Sequence, residues 1–246
     1  MAGAWTRILS FGALLLLWQL GASVADPRKL PSPQTVLGVL IDGFADGTLP
    51  YHIGVTLARV AVSFALAMVI GVAIGIAMGR RPRLDRFFDA WLVLFLNVPA
   101  LVTIVLCYIW FGLIETAAIV AVALNKIPNV IVTLREGARA LNRDNLEMAT
   151  VFRLGSAKTL RHVVLPELYP FIVAAARSGL ALIWKIVLVV EAFGRSDGVG
   201  FQVNTFFNLF DVAGILAYTI AFVAVIQVIE LAILRPIERR ANRWRR

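Results

Sequence analysis

Val60 to Gly79 reads VAVSFALAMVIGVAIGIAMG, 20 residues without a charge, closed at once by Arg80 and Arg81. A helix needs roughly 20 mostly apolar residues to cross the hydrocarbon core of a bilayer, so this stretch reads as a membrane span. Three further uncharged runs surround it: Ile8 to Ala25 with 18 residues, Ala90 to Ile114 with 25, and Val212 to Ile229 with 18. Segments 116–134 and 168–190 are equally apolar but carry internal charges. The composition agrees, with 60% hydrophobic and 16% charged residues, against about 45–50% and about 25% in soluble domains. A soluble fold is excluded. The pattern predicts an all-α integral membrane protein with six transmembrane helices.

The net charge of +9 raises the question of nucleic acid, and the positions of the bases answer it. Arg80, Arg81, Arg83 and Arg86 form one cluster; Arg135, Arg139, Arg143, Arg153, Lys158 and Arg161 a second; Arg235, Arg239, Arg240, Arg243, Arg245 and Arg246 a third. Each lies between or after apolar runs, as cytoplasmic loops do under the positive-inside rule. The clusters read as solvated, membrane-facing charge, with lipid as the partner and no nucleic acid. The single cysteine, Cys107, lies inside an apolar run, and the two histidines, His52 and His162, stand far apart. No disulfide framework, metal site or catalytic constellation is visible, so no catalytic residue is expected.

Placing the three clusters on one side sets the topology. Helices are expected at about 5–25, 52–79, 88–112, 115–134, 168–191 and 212–234. With Arg7, 17 bases fall inside and 3 outside (Arg28, Lys29 and Arg195), while Arg59, Lys126, Arg177 and Lys185 fall within helices. Both termini are then cytoplasmic. The chain divides into an N-terminal transmembrane helix (1–30), an outer amphipathic segment (31–51), a transmembrane core (52–235) and a basic tail (236–246). Helix one also has the look of a secretory signal, with Ser23-Val24-Ala25 before Asp26; we read it as retained. In the outer segment Val36, Leu37, Leu40, Ile41 and Phe44 recur at helical spacing after Pro31-Ser32-Pro33, predicting a short surface helix. Asp42, Gly43, Asp46 and Gly47 are expected to face water or to end it.

Leu141 to Pro170 is a long connection for a helical bundle, and long ordered connections tend to be functional. It reads as two short helices separated by Gly155-Ser156, the first capped by Asp144 or Asn145, the second spanning Ala157 to Val164 and ended by Pro166. Leu146, Met148, Val151, Phe152 and Leu154 leave an apolar surface that a plain loop does not need.

Glu147-Met148-Ala149, followed by Leu165-Pro166 eighteen and nineteen residues after the glutamate, resembles the EAA loop of binding-protein-dependent ABC importer permeases. That pattern carries a glycine six residues after the glutamate and an aliphatic residue ten further on. Val163 fills the aliphatic position; the glycine position holds Arg153, with Gly155 two residues later. Leu30-Pro31-Ser32-Pro33, Gly47-Thr48-Leu49, Thr56-Leu57-Ala58-Arg59-Val60, Trp110-Phe111-Gly112, Glu191, and Glu238-Arg239-Arg240 with Trp244 are similar to the nitrate, sulfonate and taurine branch. The resemblance implies a type I importer permease in the bacterial inner membrane, working as a dimer with a second permease chain, most simply a homodimer. It also implies ABC ATPase subunits that bind ATP and Mg, and an external solute-binding protein. Glu147, Ala149, Gly155, Val163, Leu165 and Pro166 would form the ATPase-coupling element, within a coupling loop at 141–167. No Gly-x-x-x-x-Gly-Lys-Ser/Thr phosphate loop occurs in the chain, so no cofactor is expected here and the ATPase is expected in a partner.

Gly71, Gly75 and Gly79 recur every four residues, a spacing that lets helices approach closely in lipid. Pro99 after Asn97, and Pro128 after Asn125-Lys126, each remove a backbone donor inside an apolar stretch. Broken helices at membrane depth are tolerated where they line a cavity or contact protein. Asn97, Pro99, Asn125, Lys126 and Lys185 are therefore the candidate translocation-path residues. Intramembrane charges need partners, and Lys185 with Glu230 or Glu191 is one such pairing. A surplus of bases near the path suits a small anionic solute. The rival reading is an ion-gradient-driven secondary transporter. Such proteins often carry inverted repeats, and no convincing repeat relates the two halves.

Overall fold

The computed structural model describes residues 2–236, with the side chains of 2–4, 7, 8 and 234 excepted. The basic tail beyond Pro236, including Glu238, Arg239, Arg240 and Trp244, and the Arg7 side chain lie outside the described residues. The order is α1 (Ala2–Val24), α2 (Pro33–Ala45), α3 (Thr48–Arg80), α4 (Pro82–Asn97), α5 (Ala100–Phe111), α6 (Glu115–Arg139), α7 (Arg143–Val151), α8 (Ser156–Thr159), a wide π turn (Leu160–Val164), α9 (Leu165–Gly194), α10 (Val199–Asn208), α11 (Val212–Ile229) and a second π turn (Glu230–Leu234). No strand occurs among the described residues. Among the described residues, four helices are long and apolar enough to span a membrane: Thr48–Arg80, Glu115–Arg139, the continuous Ser156–Gly194, and Val212–Ile233. The apolar part of α1, Leu9–Val24, is shorter.

Two of the expected helices differ in form. The segment expected as one helix over 88–112 is two, α4 and α5, bent by 96°. The break falls at Val98-Pro99. Val98 is extended (ψ 125°), as a residue before proline must be, and Pro99 caps α5. Pro128, by contrast, sits inside an unbroken α6. The second difference is in the 141–170 connection, where the second of the two expected short helices does not end. The helix expected to stop at Pro166 runs on without interruption into α9. A proline ring collides with the carbonyl four residues back. For Pro166 that carbonyl belongs to His162, inside the π turn, where Leu165 N–H reaches back to Leu160 O. The widened turn accommodates the ring.

The chain forms two compact units. One comprises Met1–Leu57 with Glu191–Gln227. In it, Ser32 caps α2 by accepting the Thr35 N–H at 3.3 Å, Pro33 supplies the first helical residue, and Trp18 Nε1 donates to Pro31 O at 3.0 Å. Leu37, Ile41 and Phe44 form an exposed stripe on α2 while Val36 is buried. Gly43 does not face water: it is buried against Leu49. Gly47, at φ +79°, turns the chain into α3.

The other unit comprises Ala58–Val190 with Val228–Arg246. Its core contains Val130, Leu134 and Ala138 of α6 with Val164, Leu168 and Ala175. Lipid tails are as apolar as leucine, so spanning helices associate through close packing rather than a hydrophobic force. Gly71, Gly75 and Gly79 provide it. A Cβ on them would come within 2.5 Å of Val130 Cβ, 2.7 Å of Leu134 Cβ and 2.6 Å of Ala138 Cβ respectively. At Gly75 and Gly79 it would also meet α6 carbonyls at 2.9 and 2.6 Å.

Gly75→Val is therefore expected to lower stability by at least about 1–3 kcal/mol, the cost of overpacking. Gly54→Ala, where a Cβ meets nothing within 4 Å, should stay within about 0.5 kcal/mol. Thermal unfolding of the detergent-solubilised chain measures both; equal losses would remove the close-packing account.

Candidate functional site

The loop after α6 is held at both ends. Asn142, rather than Asp144 or Asn145, caps α7: its side chain accepts the Asp144 N–H at 2.9 Å. Glu167, in the first turn of α9, accepts the Asn142 N–H at 3.0 Å and takes a second hydrogen bond from the Asn145 amide. At the other end, Leu154 N–H donates to Ala149 O and Arg153 N–H to Thr150 O, each at 2.9 Å. This is the Schellman pattern, in which the residue just past the helix takes a left-handed conformation and is usually glycine. Here that residue is Arg153, at φ +50°, the position at which the loop departs from the EAA pattern. Gly155, at φ −62° with open space around it, needs no glycine for its backbone.

Between these fastenings α7 turns Ala149 inward, at 2% exposure, and presents Glu147, Met148, Val151 and Phe152 outward. Val151 and Phe152 are 78% and 72% exposed. Val163 is buried in the π turn, Leu165 half-buried and Pro166 exposed. The six residues of the coupling element expected from the sequence thus do not share one face: Glu147 is exposed and Ala149 buried on α7, Gly155 lies in the turn after it, and Val163, Leu165 and Pro166 lie where the chain enters α9.

Charges inside the spans are mostly paired. Arg59 is buried and forms a two-pronged ion pair with Glu115, at 2.7 and 2.9 Å. Arg135 and Arg139 are not free solvated bases. They bond Asp85 and Asp89 of α4 and Glu136, which ties α4 to α6. Glu230 pairs with Arg177 at 3.6 Å, not with Lys185.

Two lysines stand apart. Lys126 is 1% exposed and makes no ion pair among the described residues. It lies against Gly179 of α9, where a Cβ would come within 2.4 Å of its Cε. Lys185 is exposed on α9 in a stripe with Arg177, Ser178, Ala181 and Val189. Burying a charge without a partner is costly, and an exposed charge in a span cannot rest in hydrocarbon. Asn125 is half-buried and donates to Ala121 O at 2.9 Å. Asn97 and Pro99 are exposed at the α4–α5 bend, where Asn97 donates to Val93 O at 2.7 Å.

A polar cluster that the sequence did not reveal sits in the first unit. Glu191, at 0% exposure, accepts the Gly200 N–H and the Thr56 hydroxyl, each at 2.9 Å. The hydroxyl is also 3.0 Å from His52 O, but its one proton favours the carboxylate. Thr56 Oγ1 in turn accepts the Val199 N–H at 2.8 Å, and His52 Nδ1 accepts the Gly198 N–H at 3.0 Å. The His52 proton therefore sits on Nε2, 2.7 Å from the Gln202 amide, whose oxygen must face it. Gly198 adopts φ +103°, and a Cβ there would lie 2.3–2.5 Å from the Glu191 carboxylate. His52 and Thr56 are one helical turn apart, which was the only local signal; their partners lie 135 to 150 residues away.

The profile of the family described as "Binding-protein-dependent transport system inner membrane component" matches residues 67–242. Curated relatives include the taurine transport system permease protein TauC of Escherichia coli, 30% identical over 96% of this chain and 89% of its own length. A second is the putative aliphatic sulfonates transport permease protein SsuC of Bacillus subtilis, 28% identical over 98% of this chain and 88% of its own. A third is the nitrate import permease protein NrtB of a Synechocystis strain, at 26% over 81% and 76%. Among solved structures, an inward-facing MetNI methionine ABC transporter chain superposes with a TM-score of 0.68 at 20% identity, covering 78% of this chain and 97% of that one. At that identity the likeness bears on the fold alone.

Two substitutions test the backbone assignments. Arg153→Gly is expected to stabilise the chain by about 0.5–1 kcal/mol: it removes a left-handed cost of about 1–2 kcal/mol and loses part of it to glycine's extra freedom. Gly198→Ala is expected to cost at least about 2 kcal/mol, from its positive φ and the crowding of the Glu191 carboxylate. Thermal unfolding reads both, and a neutral Gly198→Ala would show that the cluster is loosely held.

Proposed function

The chain belongs to the family of binding-protein-dependent transport system inner membrane components, a multi-pass transport permease and not an enzyme, and from that premise we propose that it forms the translocation path for a small anionic solute. The named solutes of its relatives, taurine, aliphatic sulfonates and nitrate, share an anionic group. ATP and Mg would be bound by separate ATPase subunits docked on the loop 141–167. An external binding protein would deliver the solute on the opposite side, and both termini would be cytoplasmic.

The observation that carries this reading is the outward face of α7. Glu147, Met148, Val151 and Phe152 form an apolar patch with one carboxylate, on a helix fastened by Glu167 and by the turn at Arg153. Exposed apolar groups on a rigid loop suit a partner that must be moved as a unit with it. The α9 stripe supplies a second requirement. Arg177, Ser178 and Lys185 cannot face lipid tails, so a second permease chain and a wet path between copies would cover them. In that arrangement Lys126 and Lys185 supply the positive field that a passing anion needs.

Purification from the native membrane in mild detergent is expected to recover a stoichiometric ABC ATPase with the wild-type chain. A Glu147→Ala, Phe152→Ala double variant should lose most of it while the permease remains folded. A stable wild-type chain that brings down no ATPase would overturn the reading and favour an ion-gradient-driven carrier. Lys126→Ala and Lys185→Ala are each expected to reduce anion uptake about tenfold or more without loss of assembly; unchanged uptake in both would remove the lysines from the path.

A further inference from the structure

A cavity lies beside the buried side of the α7 loop, where Ala149 lines it, away from the exposed face just described. It holds about 540 Å³ and is lined by the last turns of α3 and by the α7–α8 connection. Its polar groups are Arg80, Arg81, Thr150, Ser156 and Thr159, and no carboxylate lines it. Arg80 ends α3, and at Arg81 the backbone leaves the helix (φ −126°, ψ 95°). Two consecutive residues on a helix point about 100° apart. The change of backbone direction is what allows both neighbours to line one cavity.

Of the bases at this end of the unit, Arg80 and Arg81 line the cavity, and several of the others are engaged elsewhere. Arg135 and Arg139 are engaged by Asp85, Asp89 and Glu136, and Arg86 donates to Pro82 O. The Arg80 and Arg81 side chains make no ion pair or hydrogen bond among the described residues. The hydroxyls divide in the same way. Thr150 and Thr159 spend their protons on Leu146 O and Leu154 O, whereas Ser156 keeps its donor free. The cavity therefore combines two unpaired planar forks with one free hydroxyl donor and no compensating negative charge. Guanidinium forks match the oxygen spacing of tetrahedral oxyanions and bind them in two-pronged fashion.

We propose that this cavity is a binding site for a phosphate- or sulfate-like oxyanion, held by Arg80 and Arg81 and by the Ser156 hydroxyl. The anion bridges the end of α3 to the α7–α8 turn, so its occupancy fixes the position of the α7 loop on the spanning helix. The same chemistry has two sources, a free inorganic anion or the phosphate of an anionic lipid headgroup. Both place the oxyanion on the same three groups.

The test uses the full chain in nanodiscs. In phosphatidylcholine nanodiscs, sodium phosphate is expected to raise the unfolding temperature saturably relative to sodium chloride at equal ionic strength. Arg80→Gln with Arg81→Gln should abolish the shift, and Ser156→Ala should weaken apparent affinity about fivefold. Arg83→Gln with Arg86→Gln, which alters the same basic cluster away from the cavity, should leave it intact. In a second arm, native mass spectrometry counts phosphatidylglycerol retained after detergent extraction. Phosphate-insensitive unfolding together with one lipid retained by the wild type and lost from the Arg80→Gln, Arg81→Gln variant assigns the site to a headgroup. Equal behaviour of wild type and that variant in both arms overturns the proposal. So does loss of a co-purifying protein from the variant when neither probe binds, since the cavity then belongs to a protein contact. Arg80→Lys with Arg81→Lys keeps the charge and guards against misfolding; it should retain weak binding without the two-pronged geometry.

Discussion

At Gly71, Gly75 and Gly79 the backbone of α3 runs directly against α6, with no room for a single carbon between them. In water such contact would be one contribution among many. In a bilayer, where nothing drives apolar surfaces together, close contact is the attraction itself. It presents Val130, Leu134 and Ala138 to the core they share with Leu168 and Ala175. It also sets Lys126, on the same stretch of α6, against Gly179. On another side of α6, Arg135 and Arg139 reach the α4 carboxylates. The loop that follows α6 thus begins from a helix that is already fixed.

Within that unit the protein distinguishes two kinds of cation. Arg59, Arg135, Arg139 and Arg177 each have a carboxylate partner, which is how a membrane protein makes charge tolerable. Lys126, Lys185, Arg80 and Arg81 have none among the described residues. These four lie at one closely packed helix contact, on one open helix face and around one polar cavity. The paired cations tie helices to one another, and these four do not.

Much of this was legible in the sequence because it depends on length and period. The uncharged runs 60–79 and 212–229 and the apolar segments 116–134 and 168–190 located the four helices long enough to span, and the four-residue spacing of glycines announced a close helix contact, though not that its partner is α6. The features that escaped depend on neighbours. Pro99 and Pro128 each follow an asparagine in an apolar run, yet only Pro99 breaks its helix. Pro128 is buried within a helix packed on several sides, whereas Pro99 is exposed. Pro166 read as a stop because a widened turn upstream cannot be seen in a list of residues. Arg153 read as a departure from a motif, and the backbone shows that it occupies the same left-handed position that glycine would fill. The cluster around Glu191 joins residues more than a hundred positions apart, and no local pattern encodes it.

The unbroken run from Ser156 into α9 has a consequence for stiffness. From Ser156 to Ser178 it extends about 33 Å at helical rise, with no loop to absorb displacement. A straight helix of that length transmits an axial push almost undiminished. Its compliance lies near its start, at the π turn of Leu160–Val164, where hydrogen bonds already span an extra residue, and at Pro170, which lacks a backbone donor. Bending is therefore concentrated near the end at which force would enter, and the remainder translates as a rod. A small rotation about that turn would become a sweep of several ångströms at Arg177 and Ser178, in the manner of a lever with its fulcrum inside the helix.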